Sequence, residues 1–199
     1  MSIYINLVIE DEVQLNILKR VLAYSNQPFV INSTLGLRGN DYIKRNLHAF
    51  NHAARFIPCL VLTDLDRTEC APLLVREWIN FKRNPNLIFR IAVREAESWL
   101  LADRNNFASF LGVSHAKMER NTESIDNPKE YIVRIARKSR KRRIREALVP
   151  FGTATVGPNY NFALTEFILN KWKIEKAIEN SQSLSRAIKS LNNFKIDEK

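Results

Sequence analysis

The chain predicts an α/β protein: a mostly parallel four-stranded sheet with flanking helices, followed by a helical C-terminal part. Three observations predict it. Apolar runs alternate with helical periodicity through the first half, the pattern of β-α-β crossovers. Three of those runs end in carboxylates: Leu7-Val8-Ile9 in Glu10-Asp11-Glu12, Leu60-Val61-Leu62-Thr63 in Asp64-Leu65-Asp66, and residues 88–93 in Glu95 and Glu97. Beyond Glu95 strand signals stop and only helical spacing continues.

The first strand covers 3–9, with residues 10–12 as its exit loop. Val13, Ile17, Leu18, Val21 and Leu22 then recur at helical spacing until Pro28 ends the pattern. Phe29-Val30-Ile31 forms a second strand, Gly36-Leu37-Arg38-Gly39-Asn40 a flexible loop, and Tyr42, Ile43, Leu47 and Phe50 the stripe of a second helix. Pro58 opens the third strand; a third helix covers 71–81 with Pro72 in its first turn; Asn84-Pro85-Asn86 makes a turn; and 87–93 is the fourth strand. Helices follow at 96–102, 106–111, 129–148, 162–172 and 183–191. The chain thus divides into an α/β core over 1–103 and a helical extension over 104–199, packed on the core and containing a basic helix.

A length of 199 residues and a hydrophobic fraction of 45% suffice to bury a core and exclude overall disorder. Charge is the outlier. Thirty-one Lys and Arg against 21 Asp and Glu give a net charge of +10, which favours polyanionic partners such as nucleic acid, with an anionic membrane surface as the competing reading. Cys59 and Cys70, without a signal-like N-terminus, do not make a disulfide framework and read as reduced thiols. No stretch approaches the roughly 18 to 20 apolar residues of a membrane span, and a cytoplasmic protein is expected.

If the acid-tipped strands are parallel neighbours, their carboxylates meet at one edge of the sheet, where open α/β sheets bind ligands. Mg²⁺ takes one or two protein carboxylates plus waters and substrate phosphates. Asp64 and Asp66, two apart on a fraying strand, suit that role. Glu10 would share a metal or act as general acid or base, because like charges nearby raise its pKa. Glu97 is the preferred third acidic site. The competing reading makes these acids first-turn helix residues, favoured there by the helix dipole. It stands beside function for Asp11 and Glu12, and gives Glu95 a capping role or a pairing with Arg94.

From Arg137 to Arg145, seven residues in nine are basic. On one continuous helix Arg134, Arg137, Lys138, Lys141, Arg142 and Arg145 share a broad side, opposite Ile132, Ala136 and Ala147, while Arg140 and Arg143 interrupt the apolar side. Such a stripe would bind phosphates in a salt-dependent, sequence-indifferent way. A solvated face and an interface with an acidic protein patch are the alternatives. Arg38 and Lys44 around the glycine-bearing loop, and Arg67 beside the Asp pair, are placed to meet a scissile phosphate, or are surface charge. Residues 152–161 lack the Gly-Lys-Ser/Thr ending of a P-loop; they read as the return of the helical part to the sheet, with Asn161 as a helix cap and Tyr160 as a packing residue or, alternatively, one that reaches the active site. His48, His52 and His115 have no zinc-site spacing with the cysteines. Trp78, Trp99 and Trp172 read as core.

Three families share features with these residues. Val8-Ile9-Glu10-Asp11-Glu12 looks like the opening of a two-component receiver domain, with Leu62-Thr63-Asp64 as its phosphoacceptor strand, but Arg94-Glu95-Ala96-Glu97 stands where a receiver continues to Ser/Thr and Lys-Pro. Asp64-Leu65-Asp66-Arg67-Thr68 resembles the DxDxT motif of haloacid-dehalogenase-like phosphatases, though on the third strand and without a later aspartate pair. A strand-end Glu followed by a strand-end Asp-x-Asp is the pattern of TOPRIM domains, with Asp11 where Gly often follows the Glu. Over nearly its full length the chain resembles a small bacterial TOPRIM-like family, related in pattern to overcoming-lysogenization-defect-type nucleases. The shared stretches are Val8-Ile9-Glu10-Asp11-Glu12, Arg38-Gly39-Asn40-Asp41-Tyr42, Leu62-Thr63-Asp64-Leu65-Asp66-Arg67, Ala92-Val93-Arg94-Glu95-Ala96-Glu97-Ser98-Trp99-Leu100-Leu101-Ala102-Asp103 and Val156-Gly157-Pro158-Asn159-Tyr160-Asn161.

The resemblance implies Glu10 as general acid or base and Asp64 and Asp66 as ligands of Mg²⁺, with Mn²⁺ as a substitute. Relatives in bacterial defence loci often work beside an ATPase, which makes a partner subunit an expectation. The expected function is a Mg²⁺-dependent TOPRIM-type nuclease acting on DNA or RNA, an effector of anti-phage defence. Its catalytic residues would be Glu10, Asp64, Asp66 and Glu97, its metal ligands Glu10, Asp64 and Asp66, and its phosphate contacts Arg38, Lys44, Arg67, Arg137, Lys138, Arg140, Lys141, Arg142, Arg143 and Arg145. The alternatives are a non-catalytic nucleic-acid-binding or partner-regulated module working with an ATPase, and a small-molecule phosphatase.

Overall fold

A computed structural model describes residues 2–197. Four strands, β1 (Ile3–Ile9), β2 (Phe29–Gly36), β3 (Cys59–Asp64) and β4 (Leu87–Ala92), alternate with helices α1 (Glu12–Tyr24), α2 (Gly39–Ala53) and α3 (Ala71–Trp78). All pairings are parallel, in the order β2-β1-β3-β4. The α/β class and four-stranded parallel sheet expected from the sequence are present.

The period-two side-chain alternation of β1 and β3 feeds two cores. Ile5, Leu7, Ile9, Leu60 and Leu62 pack with α1 and the C-terminal helices, while Val8 and Val61 pack with Ile43, Leu47 and Phe50 of α2 and with Leu74 and Trp78 of α3. Asp11 caps α1 by accepting the Gln14 N–H at 2.9 Å. The first crossover carries the chain outward from β1 to β2 with α1 on one face; the second returns across β1 to β3 with α2 on the other. The winding therefore reverses between β1 and β3, and their carboxyl ends face the crevice that such a reversal opens. The register pairs Val8 with Val61, so Glu10 and Thr63, each two residues on, stand level at that crevice. Gly36 closes β2 at φ +99°, where a Cβ would lie 2.2 Å from the Ile9 carbonyl oxygen. Its absence lets the Leu37 N–H reach that oxygen at 2.9 Å and starts the loop that carries Asn40.

The C-terminal half is helical: α4 (Glu97–Leu101), α5 (Arg104–Leu111), two 3₁₀ turns (His115–Lys117 and Thr122–Ser124), α6 (Pro128–Ala136), α7 (Arg142–Leu148), α8 (Tyr160–Asn170), α9 (Ile174–Ala177) and α10 (Gln182–Asn192). One apolar cluster runs from Ile5 to Phe194, joining these helices to the sheet. Trp99 and Trp172 are fully buried, and the Trp99 indole N–H donates to Ser183 Oγ at 2.7 Å. Among the described residues no helix is long and apolar enough to cross a membrane.

The single helix expected over 129–148 is instead two, α6 and α7, broken at 137–141. Ser139, buried at the break, donates its hydroxyl to the Leu111 carbonyl and accepts the Lys141 N–H at 2.9 Å. The Arg140 N–H donates to the Gly112 carbonyl at 3.2 Å. Docking onto the end of α5 has overridden helical continuity, which propensity alone favours. Ser139→Ala should lower the free energy of unfolding in urea by about 1–2 kcal/mol, the cost of losing a buried bond and stranding its partner. The expected cap at Asn161 is also corrected: α8 begins at Tyr160, with Asn159 in the cap position.

Candidate active site

Glu10 leaves β1 toward β3. Its Oε1 accepts the Thr63 hydroxyl at 2.6 Å and the Asp64 N–H at 2.8 Å, and the Glu10 N–H donates to Gln14 Oε1 at 3.1 Å. Asp64, 4% exposed, is held by Gln14 Nε2 and the Ala96 N–H, both donating to Oδ1 at 2.9 Å. One aspartate thus joins β3, α1 and the segment after β4. Glu10 Oε2 and Asp64 Oδ2 accept no hydrogen bond from the described residues.

Burial pushes the Asp64 carboxyl well above the usual carboxylate range, and repulsion from Glu10 and Glu97 adds to it. Glu10 is also raised, by burial first, against the lowering effect of its bonds from Thr63 and Asp64. Glu97, 1% exposed, is pushed up to about 7, chiefly by burial, while Lys129 opposes the shift. Tyr160 OH lies 3.5 Å from Glu97 Oε1, so this buried tyrosine also borders the acids.

Asp66 sits at φ +49°, where its Oδ2 accepts from Asn40 Nδ2 at 2.9 Å and its N–H donates to the Arg94 carbonyl at 2.8 Å. Arg94, itself at φ +60°, returns a guanidinium donor to the carbonyls of Asp66 and Thr68 at 3.0 and 3.1 Å. Two facing left-handed residues mark a strained junction, a feature concentrated at functional sites. Arg94 therefore buttresses the Asp66 loop. Glu95 accepts the Lys129 N–H at 2.7 Å, so it caps the start of α6 from across the chain.

Lys129 was absent from the expected site. Its Nζ lies 3.8 Å from Glu97 Oε1 and 4.0 Å from Asp11 Oδ2. Burial lowers its pKa, but Glu97, Asp64, Glu95 and Asp11 together outweigh that and hold it above the usual lysine value. One sequence signal was available: a lysine in the first turn of a helix, just after Pro128, sits at the dipole end that disfavours cations. Gln14, Asn40 and Thr63 were also missed, because amide and hydroxyl side chains acquire this positioning role only through contacts distant in sequence.

A cleft of about 690 Å³ opens at this edge, lined by Asn40, Lys44, Asp64, Asp66, Arg67 and Trp78 among others. Lys44 and Arg67 thus face the Asp pair, with Lys44 Nζ 5.8 Å from the centre of the Trp78 ring. Glu10 and Glu97 are not lining residues; they surround Asp64 from behind. Arg38 lies off the lining, with its guanidinium 5.4 Å from the Tyr42 ring centre.

The basic run is divided by the break at Ser139. Lys141 Nζ donates to the Ser109 and Phe110 carbonyls at 2.5 and 3.2 Å, and Arg145 donates to the Ser139 carbonyl at 2.5 Å. Those two cations fasten the fold. Arg142 pairs with Glu146 at 2.7 Å and Arg143 with Glu166 at 2.9 Å, both on the surface. Arg137, Lys138 and Arg140 are exposed and form no ion pair among the described residues.

Among the described residues no three Asp, Glu, His or Cys side chains converge in a group able to hold a metal. The donor chemistry nevertheless fits Mg²⁺, which needs only one or two carboxylates beside water and phosphate. Asp64 and Glu10 each fix one oxygen with protein donors and leave the other free. The burial and repulsion that raise their pKa values are what a divalent cation would relieve. Compared with protein-family models, curated proteins and solved structures, the chain matches none.

Proposed function

We propose that this protein is a divalent-metal-dependent nuclease of TOPRIM type, hydrolysing phosphodiester bonds in DNA or RNA. The observation that carries the reading is buried Asp64, repelled by half-buried Glu10 and buried Glu97, standing at the β1/β3 crevice behind a cleft that also presents Lys44 and Arg67. Mg²⁺ or Mn²⁺ bound by Asp64 and Asp66 would supply Lewis-acid polarisation of the phosphate and a more acidic water. The chain's own residues do the rest. Gln14 and Asn40 hold the two aspartates in place. Glu10, raised by burial above the usual carboxylate range, exchanges a proton with the attacking water or the leaving oxygen. Arg67 and Lys44 receive the non-bridging phosphate oxygens. The resemblance supports a setting in anti-phage defence, with a neighbouring ATPase as partner.

Incubation of supercoiled plasmid, single-stranded circular DNA and RNA with Mg²⁺, Mn²⁺ or EDTA tests the reading. Cation-dependent cleavage is the expected result. Turnover of a simple phosphomonoester with no nucleic-acid cleavage would instead identify a phosphatase. Cation binding is separately measurable: at a free concentration about 100 times Kd it stabilises the fold by about 2.7 kcal/mol, a rise in Tm of about 5–10 °C. A melting temperature indifferent to both cations contradicts the metal site.

A further inference from the structure

We infer that the open edge of β4, between α3 and α10, is a docking groove for an extended acidic peptide of a partner protein, which adds to the sheet as a further strand. The inference stands apart from the nuclease reading, because the groove and the cleft beside Asp64 are lined by opposite sides of α3.

β4 ends the sheet. The Asn86 and Ala92 carbonyls accept the Cys59 and Leu65 N–H groups at 3.0 and 2.9 Å, so the backbone groups of even-numbered residues face β3 and those of odd-numbered residues face outward. At the two ends the outward groups are used: the Leu87 N–H donates to the Asn84 carbonyl at 3.0 Å and the Val93 N–H to Ser183 Oγ at 3.4 Å. Between them the Phe89 carbonyl accepts Arg90 Nε at 2.7 Å. Among the described residues the Phe89 N–H and both Ile91 backbone groups have no partner. The other edge, β2, is interrupted by a register shift opposite Ile5 and Asn6, an irregularity that blunts edge pairing; β4 runs along β3 without one.

This edge opens into a cavity of about 480 Å³, with Ala71, Val75 and Arg76 of α3 on one side, Arg186 of α10 on the other, and Arg90 and Ile91 of β4 between them. No acidic residue lines it, and none of the three arginines forms an ion pair among the described residues. Half-buried Arg90 donates to the Phe89 and Arg186 carbonyls, and burial with repulsion from Arg83 disfavours its charge. Charge selects the occupant. A second copy pairing by the same edge would set arginines against arginines. A strand bearing Asp or Glu relieves them, and its alternate apolar side chains meet Ala71 and Val75. Nucleic acid would satisfy the arginines but offers no row of amide and carbonyl groups to Phe89 and Ile91. Leu74 and Trp78 of α3 line the cleft beside Asp64, so a docked partner stands about one helix diameter, 10–12 Å, from that cleft.

A phage-displayed library of random peptides, panned against the full chain in EDTA, tests the groove. The expected result is enrichment of sequences that alternate apolar residues with Asp or Glu. Their synthetic forms should bind in fluorescence anisotropy and slow hydrogen exchange at the Phe89 and Ile91 amides. Arg76→Glu/Arg186→Glu, which alters two exposed side chains, should keep the wild-type melting temperature and weaken binding at least about fivefold through the loss of two surface ion pairs. N-methylation of the peptide amides that face the edge should weaken binding without changing its charge. The groove is overturned if no acidic peptide is enriched, if the charge-reversed protein binds the peptides like wild type, or if exchange at Phe89 and Ile91 is unchanged. Binding of single-stranded oligo-dT through the same two arginines, with no peptide enriched, overturns it as well. Peptide capture with no cleavage of any nucleic acid would leave the groove and remove the nuclease; cleavage without peptide capture would do the reverse.

Discussion

Asp64→Asn should abolish cleavage, by a factor of at least about 10³, while making the metal-free protein more stable. The two effects share one cause. Asp64 is a buried acid raised well above the usual carboxylate range, and the charge that would hold a cation also repels Glu10 and Glu97. Removing a group required for metal-assisted chemistry and losing about 4 kcal/mol of transition-state stabilisation correspond to that factor. Asn keeps an oxygen to accept from Gln14 Nε2 and the Ala96 N–H, so the junction of β3, α1 and the segment after β4 survives. Asp64→Ala removes that acceptor and strands two buried donors, at about 1–3 kcal/mol each, so it should melt below wild type. Thermal unfolding in EDTA should therefore rank Asn above wild type above Ala. Added Mg²⁺ should raise wild type alone. Cleavage by Asp64→Asn at the wild-type rate would remove Asp64 from the chemistry.

Why Asp64 was legible in the sequence and Lys129 was not is a matter of range. Residues 60–63 are apolar or β-branched, and their run ends abruptly in two carboxylates, so strand and site share one local signal. Glu10 carries the same signal at the end of β1. The parallel order followed from helical periodicities between apolar runs, and the switch point followed from that order. Lys129 joins the acids only because Glu95 caps α6 and the returning chain lays Tyr160 beside Glu97, contacts 34 and 63 residues apart. The basic run misled for the opposite reason. Arg137 to Arg145 has good helical propensity, but buried Ser139 ties the backbone to Leu111 and diverts Lys141 and Arg145 into the fold. Composition reported the charge correctly; only tertiary contact decides which cations remain free.

Glu97 makes the stability of the metal-free protein depend on pH in the direction opposite to acid denaturation. Its folded pKa of about 7 lies above the ordinary glutamate value of 4.5, so the folded state binds its proton more tightly than the unfolded chain does. The stabilisation is fully present below about pH 4.5 and is lost as pH rises through about 7. For a fully buried group the difference amounts to about 3 kcal/mol between those limits. Glu10, Asp64 and Glu95 are raised as well and add to the fall in the same sense. Lys129 limits the loss, since it remains charged throughout and lies 3.8 Å from the ionising carboxylate. Glu97→Gln keeps the shape of the side chain but cannot ionise, and Lys129 retains Asp11 at 4.0 Å as a partner. Urea unfolding in EDTA at pH 5 and pH 8 should show wild type losing about 2–3 kcal/mol relative to Glu97→Gln at the higher pH. Equal slopes for the two proteins would mean that Glu97 ionises in the fold as freely as it does in water, and that Lys129 neutralises it completely.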